Sequence, residues 1–96
     1  IWGIGDNSEG QLGSYAPSST SSWVQLGGDS DWKSVSADME GASVYALKAN
    51  GTIWGLGRND SGELGPGGNK LVWTQIGTES GFKKVVAGLN TGVAIK

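Results

Sequence analysis

The chain has 96 residues, among them 18 Gly and 5 Trp but no Cys and no His, and its 7 basic and 9 acidic side chains leave a net charge of −2. This composition excludes a disulfide framework, a thiolate nucleophile and a zinc site of nitrogen or sulfur ligands, and it offers no cationic face to a phosphate backbone. Long helices are incompatible with so much Gly, each interior Gly costing roughly 1 kcal/mol relative to Ala.

The strand signals run through the whole chain. Segments at about 1–5, 23–27, 32–37, 43–48, 52–57, 72–76, 82–87 and 92–96 are expected to be extended, with negligible helix. Val35, Ala37, Val44 and Ala46 alternate with Ser34, Ser36, Tyr45 and Leu47, the period-two pattern of a sheet. Asn50-Gly51 between two such runs predicts a hairpin, because both residues tolerate positive φ. No apolar run is long enough to span a membrane. Five Trp with a low net charge point to a compact β structure rather than disorder.

The chain repeats itself. Residues 1–13, IWGIGDNSEGQLG, return as IWGLGRNDSGELG at 53–65, an offset of 52. Trp23 to Gly27 and Trp32 to Val35 return at an offset of 50, and Tyr45 to Lys48 at 48. Each drop of two is a deletion expected in a surface loop. A period near 50 suits a four-stranded propeller blade.

The string Trp-Gly-x-Gly-x-Asn-x-x-Gly-x-Leu-Gly, preceded by Ala-Leu-Lys-x-Asn-Gly-Thr, resembles the repeat of the regulator of chromosome condensation family. The resemblance implies β-propeller blades, usually seven to a ring. Ser43 and Thr91 stand where family repeats often carry His, and Trp23 and Trp73 where Pro is common. Nucleotide exchange on a small GTPase, known in that family, uses loops from several blades of a complete ring.

In family order, residues 1–96 form one repeat module: 1–31 the latter half of a blade, 32–77 a complete blade, and 78–96 the first half of a blade. The expected fold is all-β, with two propeller-type four-stranded blades, one complete and one split between the ends. Ile53 follows Lys48 after a turn, whereas the counterpart of Ile53 after Lys96 is Ile1. Ile1, Trp2, Ile4, Val93 and Ile95 therefore lie in candidate blade-joining strands. Two blades cannot close a ring, which takes roughly four to eight. The chain is expected to be a window on a longer repeat protein, or to pair head to tail with other copies. The start at Ile1, without Met or a signal pattern, is expected of a processed chain or of a piece of something longer.

Several residues are candidates for contacts. Trp2 and Trp54 repeat in register, for packing between blades or for ligand stacking. Trp23 and Trp73 are expected to be partly exposed, packed or in contact with a partner or glycan. Asn7, Arg58 and Asn59 sit in equivalent loops with Asp6, Glu9, Asp60 and Glu63. Those loops match no calcium motif, and their Asn residues suit turn-stiffening hydrogen bonds. Gly3-x-Gly5 and Gly55-x-Gly57 have no following helix for a dinucleotide, and are read as room for close strand approach. Asn50 and Asn59 head N-glycosylation triplets. Asp29, Asp31 and Glu79 form no glycoside-hydrolysing pair, and Lys33, Lys83 and Lys84 read as edge protection.

No catalytic constellation, metal site or cofactor site emerges. The expected function is a non-enzymatic structural or assembly module in a surface, fibre or virion component of viral or bacterial origin, at the cell exterior or a particle surface. Its partners would be other copies or further blades, with glycan as a candidate and neither nucleic acid nor membrane. The competing readings are a propeller regulating a small GTPase or another partner, and a glycan-binding module.

Overall fold

A computed structural model describes residues 1–38 and 42–96. Among these residues there are eight strands: β1 (Trp2–Gly5), β2 (Thr20–Gln25), β3 (Trp32–Ala37), β4 (Ser43–Lys48), β5 (Ile53–Gly57), β6 (Lys70–Gln75), β7 (Lys84–Gly88) and β8 (Thr91–Ile95). One 3₁₀ turn, Gly13–Tyr15, is the sole helical element among them. All eight expected strands are present. β2 and β6 begin two to three residues earlier than expected, because Thr20 and Lys70 pair with Gly5 and Gly57 across a bulge.

The strands form three antiparallel sheets: the β1–β2 hairpin, a four-stranded sheet in the order β3-β4-β5-β6, and the β7–β8 hairpin. The fold is all-β. The repeat is visible as pairing. Trp2 faces Gln25 and Gly3 faces Val24 in the first hairpin, as Trp54 faces Gln75 and Gly55 faces Thr74 in the middle sheet. Val85 faces Ala94 and Val86 faces Val93 in the last hairpin, as Val35 faces Ala46 and Ser36 faces Tyr45 in the middle one. The end hairpins thus copy, in register, the two halves of the middle sheet.

The hairpin turn between β4 and β5 uses less positive φ than expected. Gly51 adopts φ +82, and Asn50 is not among the residues with positive φ. Gly51 N–H donates to Lys48 O at 2.9 Å and Lys48 N–H to Thr52 O at 3.0 Å, which makes a three-residue loop ending in a left-handed Gly. Gly51 is also closed in by the backbone of Gly81, 2.5 Å from where a Cβ would stand.

Both faces of the middle sheet are covered. On one side Ala46 and Leu56 pack with Leu12, Ala16, Leu26 and Trp73; on the other Tyr45, Leu47 and Ile53 pack with Leu64 and Val85. Neighbours along β4 point to opposite faces, so its apolar residues alternate between the two cores. The first hairpin lies over one face and the last hairpin over the other. The glycines read as room for strand approach serve partly another purpose: a Cβ on Gly3 or Gly55 would meet Leu12 or Leu64, the leucine of its own loop folded back over the sheet. Gly57 alone of the four is closed in by neighbouring backbone, at Ala42.

Candidate functional site

The middle sheet carries an aromatic cluster around a lysine. Trp32 meets Trp54 edge-on at a 6.3 Å centroid separation and tilts against Trp73 at 4.9 Å. Lys48 Nζ lies 5.0 Å from the centre of the Trp32 ring and 4.3 Å from that of Trp54, within the range where a ring's quadrupole attracts a cation. The Asp29 carboxylate, 2.7 Å away, raises the Lys48 pKa by accepting its hydrogen bond, against the opposing effect of burial. Thr52 Oγ1 accepts the Trp54 indole N–H at 2.9 Å.

The last hairpin holds the same set, half complete. Lys96 Nζ lies 5.3 Å from the Phe82 ring and 2.7 Å from Glu79, matching Lys48 with Trp32 and Asp29. The bond from Lys96 holds Glu79 below the usual carboxylate range. Among the described residues no ring stands over Lys96 as Trp54 does over Lys48. The Lys48 side chain is accordingly 11% exposed and the Lys96 side chain 53%.

The repeat places the counterparts of Trp54 and Leu56 on the first hairpin. Trp2 and Ile4, the counterparts of Trp54 and Leu56, are exposed on its outer face. Trp2, a candidate for packing between blades or for ligand stacking, has no sheet over that face among the described residues and is exposed. Trp23 is 65% exposed, whereas its counterpart Trp73 is 9% exposed. The expectation of a partly exposed Trp73 is thereby corrected: its indole N–H donates to Leu26 O at 3.0 Å, its backbone N–H to the Tyr15 hydroxyl at 3.0 Å, and the ring lies in the core. It presents no ring face to a glycan. Val93 and Ile95 are exposed on the outer face of the last hairpin, where the equivalent Tyr45 and Leu47 are buried.

A cleft of about 190 Å³ opens between the middle sheet and the last hairpin, lined by Ile53, Ile76, Phe82 and Ala94 among others. Taken at their offsets, these four correspond to Ile1, Leu26, Trp32 and Ala46, all of which belong to the core that holds Trp54.

The loop residues have local duties. Asn7 Nδ2 donates to Gly13 O and Ala16 O, and its Oδ1 accepts Leu12 N–H. Asn59 Nδ2 donates to Gly65, Gly67 and Gly68 O, and its Oδ1 accepts Leu64 N–H. Both side chains therefore brace a loop from within. Asn59 is buried, so the folded chain has no room for a sugar on it; Asn50 is exposed at the β4–β5 turn, its Oδ1 accepting from Thr52. Arg58 pairs with Asp60 at 2.6 Å and reaches Glu9 at 4.0 Å, joining the two equivalent loops. The Ser8 backbone N–H and the hydroxyls of Ser8 and Ser19 hold Asp6 below the usual carboxylate range. Among the described residues no group of three or more acidic side chains is placed to hold a metal ion.

Comparison with known proteins yields no match to any family model, curated protein or solved structure. The Lys96–Phe82–Glu79 set went unrecognised as a site in the sequence, although the offsets of 48 and 50 relate each member to Lys48, Trp32 and Asp29. The signal was present in the repeat and lacked only the knowledge that Lys48 sits among aromatic rings.

Proposed function

We propose that the chain is a non-enzymatic assembly module whose end hairpins pair head to tail with further sheets of the same kind. The observation that carries this reading is the equivalence of the β1–β2 and β7–β8 hairpins with the two halves of the middle sheet, register for register. With the resemblance to the regulator of chromosome condensation repeat, the sheets read as propeller blades, one whole and one split. Low charge and abundant Gly suit a surface, fibre or virion component.

An edge strand that is uncharged and apolar is a template for pairing. β1 (Trp-Gly-Ile-Gly) and β8 (Thr-Gly-Val-Ala-Ile) are of this kind, while the edge strands β3 and β7 carry Lys33 and Lys84. Sedimentation velocity over a range of concentrations, with electron microscopy of the same sample, tests the proposal. Discrete multimers or short filaments are expected. Folded, monodisperse monomers at every concentration would overturn it.

A further inference from the structure

Resting on the assembly reading, we infer that the partner at the last hairpin is the first hairpin of a second copy of this chain, and that its strand register is set. In the middle sheet β4 pairs β5 with Ser43 opposite Gly57, Val44 opposite Leu56, Tyr45 opposite Gly55, Ala46 opposite Trp54 and Leu47 opposite Ile53. Carried over at offsets of 48 and 52, β8 pairs with β1 of the second copy with Thr91 opposite Gly5, Gly92 opposite Ile4, Val93 opposite Gly3, Ala94 opposite Trp2 and Ile95 opposite Ile1.

This register places the incoming Trp2 over the cleft between Ile53, Ile76, Phe82 and Ala94, beside Lys96. The half-complete set around Lys96 then becomes the set seen around Lys48. The incoming Trp23 takes the place of Trp73, with Ile76 O, the counterpart of Leu26 O, as acceptor for its indole N–H. Val93 and Ile95 gain a covering sheet, as Tyr45 and Leu47 have in the chain itself. One contact thus explains the bare Trp2, Ile4, Trp23, Val93 and Ile95 together.

The partner is a second copy because the first hairpin of this chain carries Trp2, Ile4 and Trp23, the counterparts of Trp54, Leu56 and Trp73 that this cleft lacks, and within one copy that hairpin does not reach the last one. Its own β1–β2 hairpin lies on the opposite face of the middle sheet from β7–β8. The contact is heterologous, so copies run on as a filament or close into a ring. Each copy adds two four-stranded sheets' worth of strands, so a closed ring holds an even number of sheets.

The chain has no Cys, which makes cysteine trapping unambiguous. Leu47 and Ile53 adjoin the hydrogen bond from Lys48 N–H to Thr52 O as a non-hydrogen-bonded pair, whose Cα atoms stand about 4.5 Å apart, within disulfide reach. Ile95 and Ile1 inherit that geometry. Mixing Ile1→Cys with Ile95→Cys under mild oxidation should give a disulfide-linked heterodimer, at least tenfold more than Ile1→Cys with Thr91→Cys. Trp2→Ala, at an exposed position, should keep the β circular-dichroism spectrum and weaken association of the otherwise unaltered chain at least tenfold. If the unaltered chain sediments as multimers while Ile1→Cys and Ile95→Cys fail to link, or link no better than the Thr91→Cys control, the register is wrong and the assembly reading stands. If the unaltered chain stays monomeric and no pair links, both fall.

Discussion

The indole N–H of Trp73 on β6 donates to the carbonyl of Leu26, just beyond β2, at 3.0 Å, and this bond joins the middle sheet to the first hairpin across their shared core. The same ring tilts against Trp32, so one side chain serves a polar tie between sheets and an aromatic cluster. A buried indole N–H needs such a partner.

Trp73→Ala is expected to destabilise the chain by roughly 3–5 kcal/mol, the usual cost of emptying a buried aromatic site. Trp23→Ala, the same change at the exposed counterpart, should alter the stability of the dissociated chain by about 0.5 kcal/mol or less. Urea unfolding of both variants at concentrations too low for association measures the difference.

Asn59→Ala removes four hydrogen bonds and leaves the Leu64 N–H without its acceptor. The loss is expected to be about 1–3 kcal/mol. Asn7→Ala, at a less buried site with three bonds, should cost less. Hydrogen exchange at Leu64 and Leu12 reads the two loops separately, and equal, unprotected amides in the unaltered chain would contradict the bracing role.

Tyr45 ties alkaline stability to the face that receives the last hairpin. Burial, and then the charges of Glu63 and Asp38, push its pKa up to about 12, while its hydroxyl donates to Glu63 O at 2.6 Å. A group whose pKa is raised by folding contributes stability that is complete below its unfolded value and is lost as pH rises through the folded one. Between about pH 10 and about 12 the unaltered chain should therefore lose stability more steeply than Tyr45→Phe. Thermal unfolding of the two proteins across that window provides the check.

At the acid end the sign is reversed. Lys96 lowers the Glu79 pKa, so the pair's contribution is complete above the ordinary carboxylate range and is lost as pH falls below it. The ion pair is exposed on both sides, and salt screens such pairs. Glu79→Gln should make the acid limb of the stability curve shallower at low ionic strength, and the difference should shrink in high salt.

Much of this protein is legible in its sequence because it depends on local order. Alternation in 43–48, the Asn50-Gly51 turn and the paired Trp-Gly-x-Gly strings mark the strands, and the offsets of 52, 50 and 48 tell which strands are equivalent. The bracing Asn residues also follow from their place in a repeated Gly-rich loop. Burial does not follow in this way. Trp73 and Trp23 lie in closely similar strings, as do Leu47 and Ile95, yet Leu47 is 1% exposed and Ile95 61%. What separates the members of each pair is whether another sheet lies over them, and that is settled by the stacking of β1–β2 and β7–β8 on opposite faces of the middle sheet. Strand identity is a property of neighbours in the chain, whereas burial is a property of neighbours in space.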